Sequence, residues 1–165
     1  MKQAEYSSRN DVIIVGAGLA GGCTAYALAK RGLKVSILES GNELAPKASG
    51  NRLALITPYI TDKASSRETL YSTGYNFSLQ MLEELTHSSD IFHRCGALQF
   101  PTSTRLHKIL NSTSKVIGVS DVVRVSAHEA STISGIDIKH PAFFASNAGY
   151  LEPKTLLKRH QEKYP

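Results

Sequence analysis

The sequence predicts an α/β fold: the start of a βαβ unit, then part of a mixed α+β region. Three observations predict it. Val12–Val15 is an apolar, β-branched run, as expected of a parallel strand buried on both faces. Gly16, Gly18 and Gly21 follow it at once in the spacing GxGxxG. Val35–Leu38 is a second apolar run, and it ends in an acid, Glu39, about 20 residues beyond the loop.

Each part of this Rossmann-type unit has a physical task. Gly16 permits the tight turn after the first strand, and Gly18 lets the backbone approach a pyrophosphate. Gly21 lets the following helix pack closely on the strand. That helix is expected over about Leu19 to Arg31, with its free N–H groups and positive dipole end facing the phosphates. Ala20, Thr24, Ala27 and Leu28 are small or apolar and are expected to seat it on the sheet. Gly32 stands where a left-handed residue closes a helix. Glu39 is placed to accept hydrogen bonds from adenosine ribose hydroxyls. With no Arg beside it, Glu39 argues against a 2′-phosphate and so against NADP.

The chain of 165 residues has the size of one domain. No apolar run approaches the ~20 residues that span a bilayer. Met1–Asn10 is polar and shows no signal-peptide pattern. Cys23 and Cys95 make no disulfide framework, and a cytoplasmic location fits. The net charge of +5 leans toward anionic partners such as nucleic acid.

Further along, a polar connection runs from Ser40 to about Lys47 and is followed by Ala48-Ser-Gly-Asn-Arg52. Leu53–Ile60 is β-rich but broken by Pro58, which suits a bent or edge segment. Ser65 or Ser66 caps a long helix that reaches about Thr86, with Leu70, Phe77, Met81 and Leu85 as its apolar stripe. Phe92–Phe100 reads as strand, with Gly96 at a bulge or close approach. Thr104–Leu110 is a short helix, and Ser126 or Ala127 opens another that Gly135 closes. Phe143–Tyr150 is strand-like, and Pro153 opens a final helix at its first position. Only two parallel strands of a doubly wound sheet are evident. The remaining strands are expected from sequence beyond Pro165, so the chain reads as a partial one.

Two further motifs narrow the reading. Ala48-Ser-Gly-Asn-Arg-Leu-Ala-Leu-Ile-Thr-Pro58 and Gly149-Tyr-Leu-Glu-Pro153 resemble the flavin-dependent oxidoreductases of the D-amino-acid oxidase and glycine oxidase superfamily. The Ala-Ser-Gly-Asn run and its following Pro look most like one branch. That branch is the FAD oxidase domain of the bifunctional enzyme that makes 5-methylaminomethyl-2-thiouridine in tRNA. Cys95-Gly-Ala-Leu-Gln99 and Ser126–Gly135 resemble a Cys-Gly strand and an Ala-rich helix of that family. The resemblance runs from Asp11 to about Arg159. The family often carries Gly at the position of Ala54, which narrows room near the flavin.

The resemblance implies FAD as cofactor. The implied layout is a Rossmann-type FAD-binding domain start over residues 1–88 and part of a mixed α+β substrate domain over 89–150. A helix over 151–165 then returns to the FAD domain. Gly16, Ala17, Gly18, Leu19, Ala20, Gly21, Glu39 and Ser40 would hold its ADP part. Ala48, Ser49, Gly50 and Asn51 would lie along the pyrophosphate and near the flavin, with the helix after Ser66 packed beside them. Small residues at 48–50 suit close backbone approach to an anion, and the Ser49 hydroxyl can donate to it. The implied reaction oxidises a C–N bond of an amine, namely the carboxymethylaminomethyl group of wobble uridine in tRNA. The imine formed would hydrolyse to aminomethyl uridine and glyoxylate. An amino-acid or glycine-type oxidase of the same superfamily is the nearest alternative. An NAD-binding domain and a non-catalytic remnant are the others.

No side chain earns a catalytic role from the sequence. His87, His93, His107, His128, His140 and His160 have no metal-ligand spacing and read as surface or capping residues, and no metal is expected. Arg52 suits a surface ion pair better than a substrate carboxylate. Tyr59, Tyr71 and Tyr75 suit core or rim positions rather than a base-stacking platform. Cys95 reads as a buried thiol, having no paired base.

Overall fold

The computed structural model describes residues 11–45, 47–85, 91–112 and 115–163. In chain order the elements are β1 (Val12–Val15), α1 (Leu19–Ala29), β2 (Val35–Leu38), a 3₁₀ turn (Ala48–Gly50), β3 (Ala54–Ile56), α2 (Ser66–Leu85), β4 (Phe92–His93) and β5 (Ala97–Gln99). They continue as α3 (Thr104–Leu110), β6 (Val122–Val125), α4 (Ala127–Ser134), β7 (Ala142–Ala145), β8 (Gly149–Leu151) and α5 (Pro153–Lys163). They form two compact units. The first joins Met1–Ala54 to Glu152–Pro165, and the second is the continuous stretch Leu55–Leu151. The sequence-based division at residue 88 lies outside the described residues, and α2 groups with the second unit. Met1–Asn10, His87 and the expected end of α2 at Thr86 also lie outside them.

The first unit is the βαβ start. β1 and β2 pair in parallel, with Val12 opposite Val35 and Ile14 opposite Ile37. The expectation that β1 is buried on both faces fails. Val12 and Ile14 are half-buried, but Ile13 is 60% and Val15 86% exposed. Side chains alternate across a strand, and within this unit α1 covers one face of a two-stranded sheet. The seating of α1 also differs. Its buried residues are Gly22 and Tyr26, whereas Ala20 and Thr24 are exposed. Gly22 faces α5: a Cβ there would strike the Leu157 side chain. Tyr26 stacks on His160 with ring centroids 4.3 Å apart. Two backbone bonds close α1, Gly32 N–H to Ala29 C=O at 2.9 Å and Leu33 N–H to Leu28 C=O at 3.3 Å. This is the Schellman pattern, with Gly32 left-handed at φ +83°.

The second unit holds two three-stranded sheets, ordered β3-β8-β4 and β5-β7-β6. β4 pairs with β8, and β7 with both β5 and β6, all antiparallel. Ile60, Ile109, Leu110 and Phe143 form one core cluster, joined by Leu106, Val116 and Val122. Val125, Ala130 and Ala142 form a second.

The single strands expected at Phe92–Phe100 and Phe143–Tyr150 each divide in two, and the halves enter different sheets. Gly96 breaks the first at φ +74°, where a Cβ would meet the Phe144 ring. Residues 146–148 turn the second, with Ala148 N–H bonded to Ala145 C=O. β6 escaped notice in the sequence, although Val122-Val-Arg-Val125 is a short β-branched run.

The face of α2 is a second correction. Leu70 and Phe77, expected to be buried, are 70% and 56% exposed. The buried row is Glu68, Ser72, Tyr75, Leu79 and Leu82, with Met81. Polar members hid this row from a reading by hydrophobicity. Tyr75 donates its hydroxyl to Asp121 at 2.8 Å, and Glu68 and Ser72 lie against Gly118. Ser65 caps α2, accepting the Glu68 N–H at 3.1 Å.

The expected opening of α4 is a full capping box. Ser126 Oγ accepts the Glu129 N–H, Glu129 accepts the Ser126 N–H at 2.7 Å, and Gly135 ends the helix at φ +74°. Ser126→Ala should therefore lower unfolding free energy by about 1 kcal/mol. Urea denaturation checks it, and an unchanged midpoint would show that the cap contributes nothing.

Cys95 is exposed, between β4 and β5 rather than within a strand, which corrects the buried-thiol reading. His160 is buried, correcting its placement at the surface. Among the described residues no helix is long and apolar enough to cross a membrane.

Candidate functional site

The glycine-rich loop between β1 and α1 forms one wall of a cleft of about 380 Å³ in the first unit. That volume lies in the range of small-molecule sites. Gly16, Gly18, Glu39, Ser40, Ala48 and Ser49 line it, together with Val15, Leu38, Ala45 and Lys47. The parts that the sequence placed 30 residues apart thus meet at one hollow. Ala17, Leu19, Ala20, Gly21, Gly50 and Asn51 do not line it.

The loop's shape follows from its glycines. Gly16 has φ +106°, a conformation that L side chains rarely adopt. Gly21 sits against the carbonyl of Gly16 and the Ile14 side chain, and a Cβ there would collide with that carbonyl. The helix start is thereby pressed onto β1.

Two hydrogen bonds tie the later segments to this loop. Glu39 accepts the Ala17 N–H at 2.8 Å and the Gly41 N–H and Ser40 hydroxyl at 3.1 and 3.0 Å. Ser49 Oγ accepts the Leu19 N–H at 3.0 Å, at the first residue of α1. Gly18, the N-cap of α1, has no side chain to do this, so Ser49 caps the helix from across the cleft. Its own hydroxyl proton is left to donate elsewhere. The loop at 45–50 is fixed as well. Ala45 is fully buried at φ +52°, its N–H bonded to the Ala17 carbonyl at 3.1 Å.

Hydrogen bonds from Ala17, Gly41 and Ser40 hold the Glu39 carboxyl down to about 2 from an ordinary value of 4.5. A depressed acid contributes stability fully above its unfolded value and loses it as pH falls toward its folded one. The window is therefore about pH 4.5 to 2. We expect the Glu39 carboxyl carbon to titrate near the lower end in NMR spectra. Glu39→Gln should flatten acid destabilisation across that window. Titration of Glu39 in the ordinary carboxylate range would refute this.

Sequence reasoning missed Ala45 and Lys47 as cleft residues. The available signal was their position just before the Ala48–Asn51 run. Arg52 is exposed, and no described contact brings it to the cleft. Tyr59 and Tyr71 pack together in the second unit at 5.4 Å, and Arg105 donates to the Tyr59 hydroxyl. Among the described residues no three His, Cys, Asp or Glu side chains gather as a metal cluster.

A larger hollow of about 830 Å³ lies along α1, β2 and α5. Ala25, Val35, Ile37, Leu44 and Leu157 are among its walls, and of the expected site residues it holds only Ala17. Size favours it and chemistry does not. The smaller cleft carries a carboxylate, two hydroxyls and a cation, the groups that suit a nucleotide.

The family model DAO, described as FAD dependent oxidoreductase, matches residues 11–163. The tRNA 5-methylaminomethyl-2-thiouridine biosynthesis bifunctional protein MnmC of Hydrogenovibrio crunogenus is 32% identical over 155 residues. That match covers 92% of this chain and 23% of the relative. MnmC of Shewanella denitrificans is 30% identical over 163 residues, 95% of this chain and 21% of the relative. The chain thus spans less than a quarter of these relatives' length. Among solved structures, L-amino acid deaminase from Proteus vulgaris matches with TM-score 0.70 and 21% identity, over 99% of this chain and 40% of that one. Glycine oxidase from Bacillus cereus matches with TM-score 0.66 and 20% identity, over 94% and 44%. At those identities the likeness is one of fold.

Proposed function

The chain belongs to the DAO family of FAD-dependent oxidoreductases, and from that premise we propose that its first unit holds the ADP part of FAD in the cleft at Gly16–Gly21. The observation that carries the reading is the convergence of the loop, Glu39 and Ser49 on one cleft. The residues fit the cofactor. The glycines keep the wall free of side chains, Glu39 and Ser40 offer acceptors for ribose hydroxyls, and Ser49 offers a hydroxyl toward phosphate. Ala48 stands on the opposite wall, while Ala17 and Leu19 act by fixing Glu39 and Ser49 through their N–H groups. The second unit, Leu55–Leu151, is the start of a substrate domain in this reading.

Bound there, FAD supplies the two-electron oxidation of a C–N bond. The chain's own residues bind and orient it. We assign the substrate as an amine, the carboxymethylaminomethyl group of wobble uridine in tRNA, acted on in the cytoplasm. The names and identities of the curated relatives support this assignment, and the +5 charge suits a polyanionic partner.

Titration of the 165-residue chain with FAD, followed by flavin fluorescence, tests the cofactor. Saturable binding that NADH does not displace is expected. No binding, or displacement by NADH, would sink the reading. Incubating the FAD-loaded chain with tRNA bearing the modified uridine, and separately with glycine, tests the substrate. Glyoxylate from tRNA alone supports the assignment; glyoxylate from glycine alone transfers it to an amino-acid oxidase.

A further inference from the structure

The cleft contains one acid and one cation among its lining residues, Glu39 and Lys47. A diphosphate brings negative charge to a cleft that already holds the Glu39 carboxylate. The usual remedy, free N–H groups at a helix N-terminus, is partly used up here. Glu39 takes the Ala17 N–H, and Ser49 Oγ takes the Leu19 N–H. Two of the donors that would meet an anion are thus occupied, and a positive charge on the cleft wall would add to those that remain.

Lys47 is held where it can supply it. Its carbonyl accepts the Gly50 N–H at 2.8 Å, which makes it the N-cap of the 3₁₀ turn that carries Ser49. Two residues before it, Ala45 is buried and bonded to the Gly16–Gly21 loop. Its backbone is thus tied to the cleft wall, while its side chain is exposed and without an ion pair among those described.

Resting on the FAD reading above, we propose that Lys47 is the pyrophosphate counter-ion of this cleft and makes its affinity depend on the diphosphate. A lysine is a compact point charge and requires no particular phosphate orientation. Its contribution is exposed and screened by salt.

The test is titration of the whole chain with FAD, ADP and adenosine at low and high salt, for wild type, Lys47→Gln and Lys47→Arg. Lys47→Gln should weaken FAD and ADP on the order of fivefold at low salt and flatten their salt dependence. Adenosine affinity and the thermal midpoint should not change, and Lys47→Arg should keep most of the affinity. Unchanged ADP binding in Lys47→Gln, or an equal loss for adenosine, would overturn the assignment while leaving FAD binding standing. If wild type binds neither FAD nor ADP, the functional reading falls and this one falls with it.

Discussion

Gly21→Ala is expected to cost about 1–3 kcal/mol and to abolish FAD binding at concentrations that saturate wild type. The added methyl has no free volume. It would strike the Gly16 carbonyl, and the Ile14 side chain lies 3.3 Å away. Neither neighbour can yield easily. The carbonyl is backbone, and Gly16 is fixed at φ +106° with its N–H bonded to the Leu38 carbonyl at 2.7 Å. Relief has to come from lifting α1 off β1, which separates the Ala17–Glu39 and Leu19–Ser49 pairs that shape the cleft. Thermal denaturation and flavin fluorescence read the two effects. Gly18→Ala should cost less stability, because its Cβ would stand 3.2 Å from the Ser49 side chain rather than against backbone. Wild-type stability and affinity in Gly21→Ala would show that the close helix–strand approach is not required.

Phe143→Ala should produce the largest loss of stability, about 3–5 kcal/mol. Phe143 is 1% exposed and sits among Ile60, Ile109 and Leu110, residues drawn from β7, α3 and the segment after β3. Its ring also faces the Arg124 guanidinium, 5.9 Å from the ring centroid. Removing the ring opens a cavity at the meeting point of these elements. Phe143→Leu keeps most of the volume and should cost less than about 1.5 kcal/mol. Guanidinium denaturation measures both, and equal costs would mean that the second unit's core lies elsewhere.

The legibility of the fold in the sequence varied with how local the determinants were. β1, α1, β2 and the caps at Ser65, Ser126 and Gly135 were readable, because a glycine spacing or a Ser three residues before an acid acts over one turn of chain. The two divided strands were not, since their breaks depend on partners distant in sequence. Gly96 turns where Phe144 passes, a fact of pairing rather than composition. The face of α2 was misread for a related reason. Tyr75 is drawn inward by Asp121, 46 residues away, and carries Ser72 and Glu68 with it. Within the cleft, the glycines, Glu39, Ser40, Ala48 and Ser49 were legible from motif and resemblance. Lys47 and Ala45 were not, because what places them is a backbone bond from Ala45 to Ala17 that no side-chain pattern announces.

The division of the chain bears on how it comes to be folded. The second unit is continuous, Leu55–Leu151, whereas the first closes only when α5 docks on α1. During synthesis the entire second unit emerges between those helices. Gly22 and Tyr26 therefore wait, uncovered, until Leu157 and His160 have been made. The pairing is of high contact order, and closing so long a loop is slow. The order of events follows: the continuous second unit can close before the α1–α5 pairing of the first. A ribosome stalled before residue 153 would display a cradle that has not yet gained its second helix, with apolar surface open to chaperones and proteases.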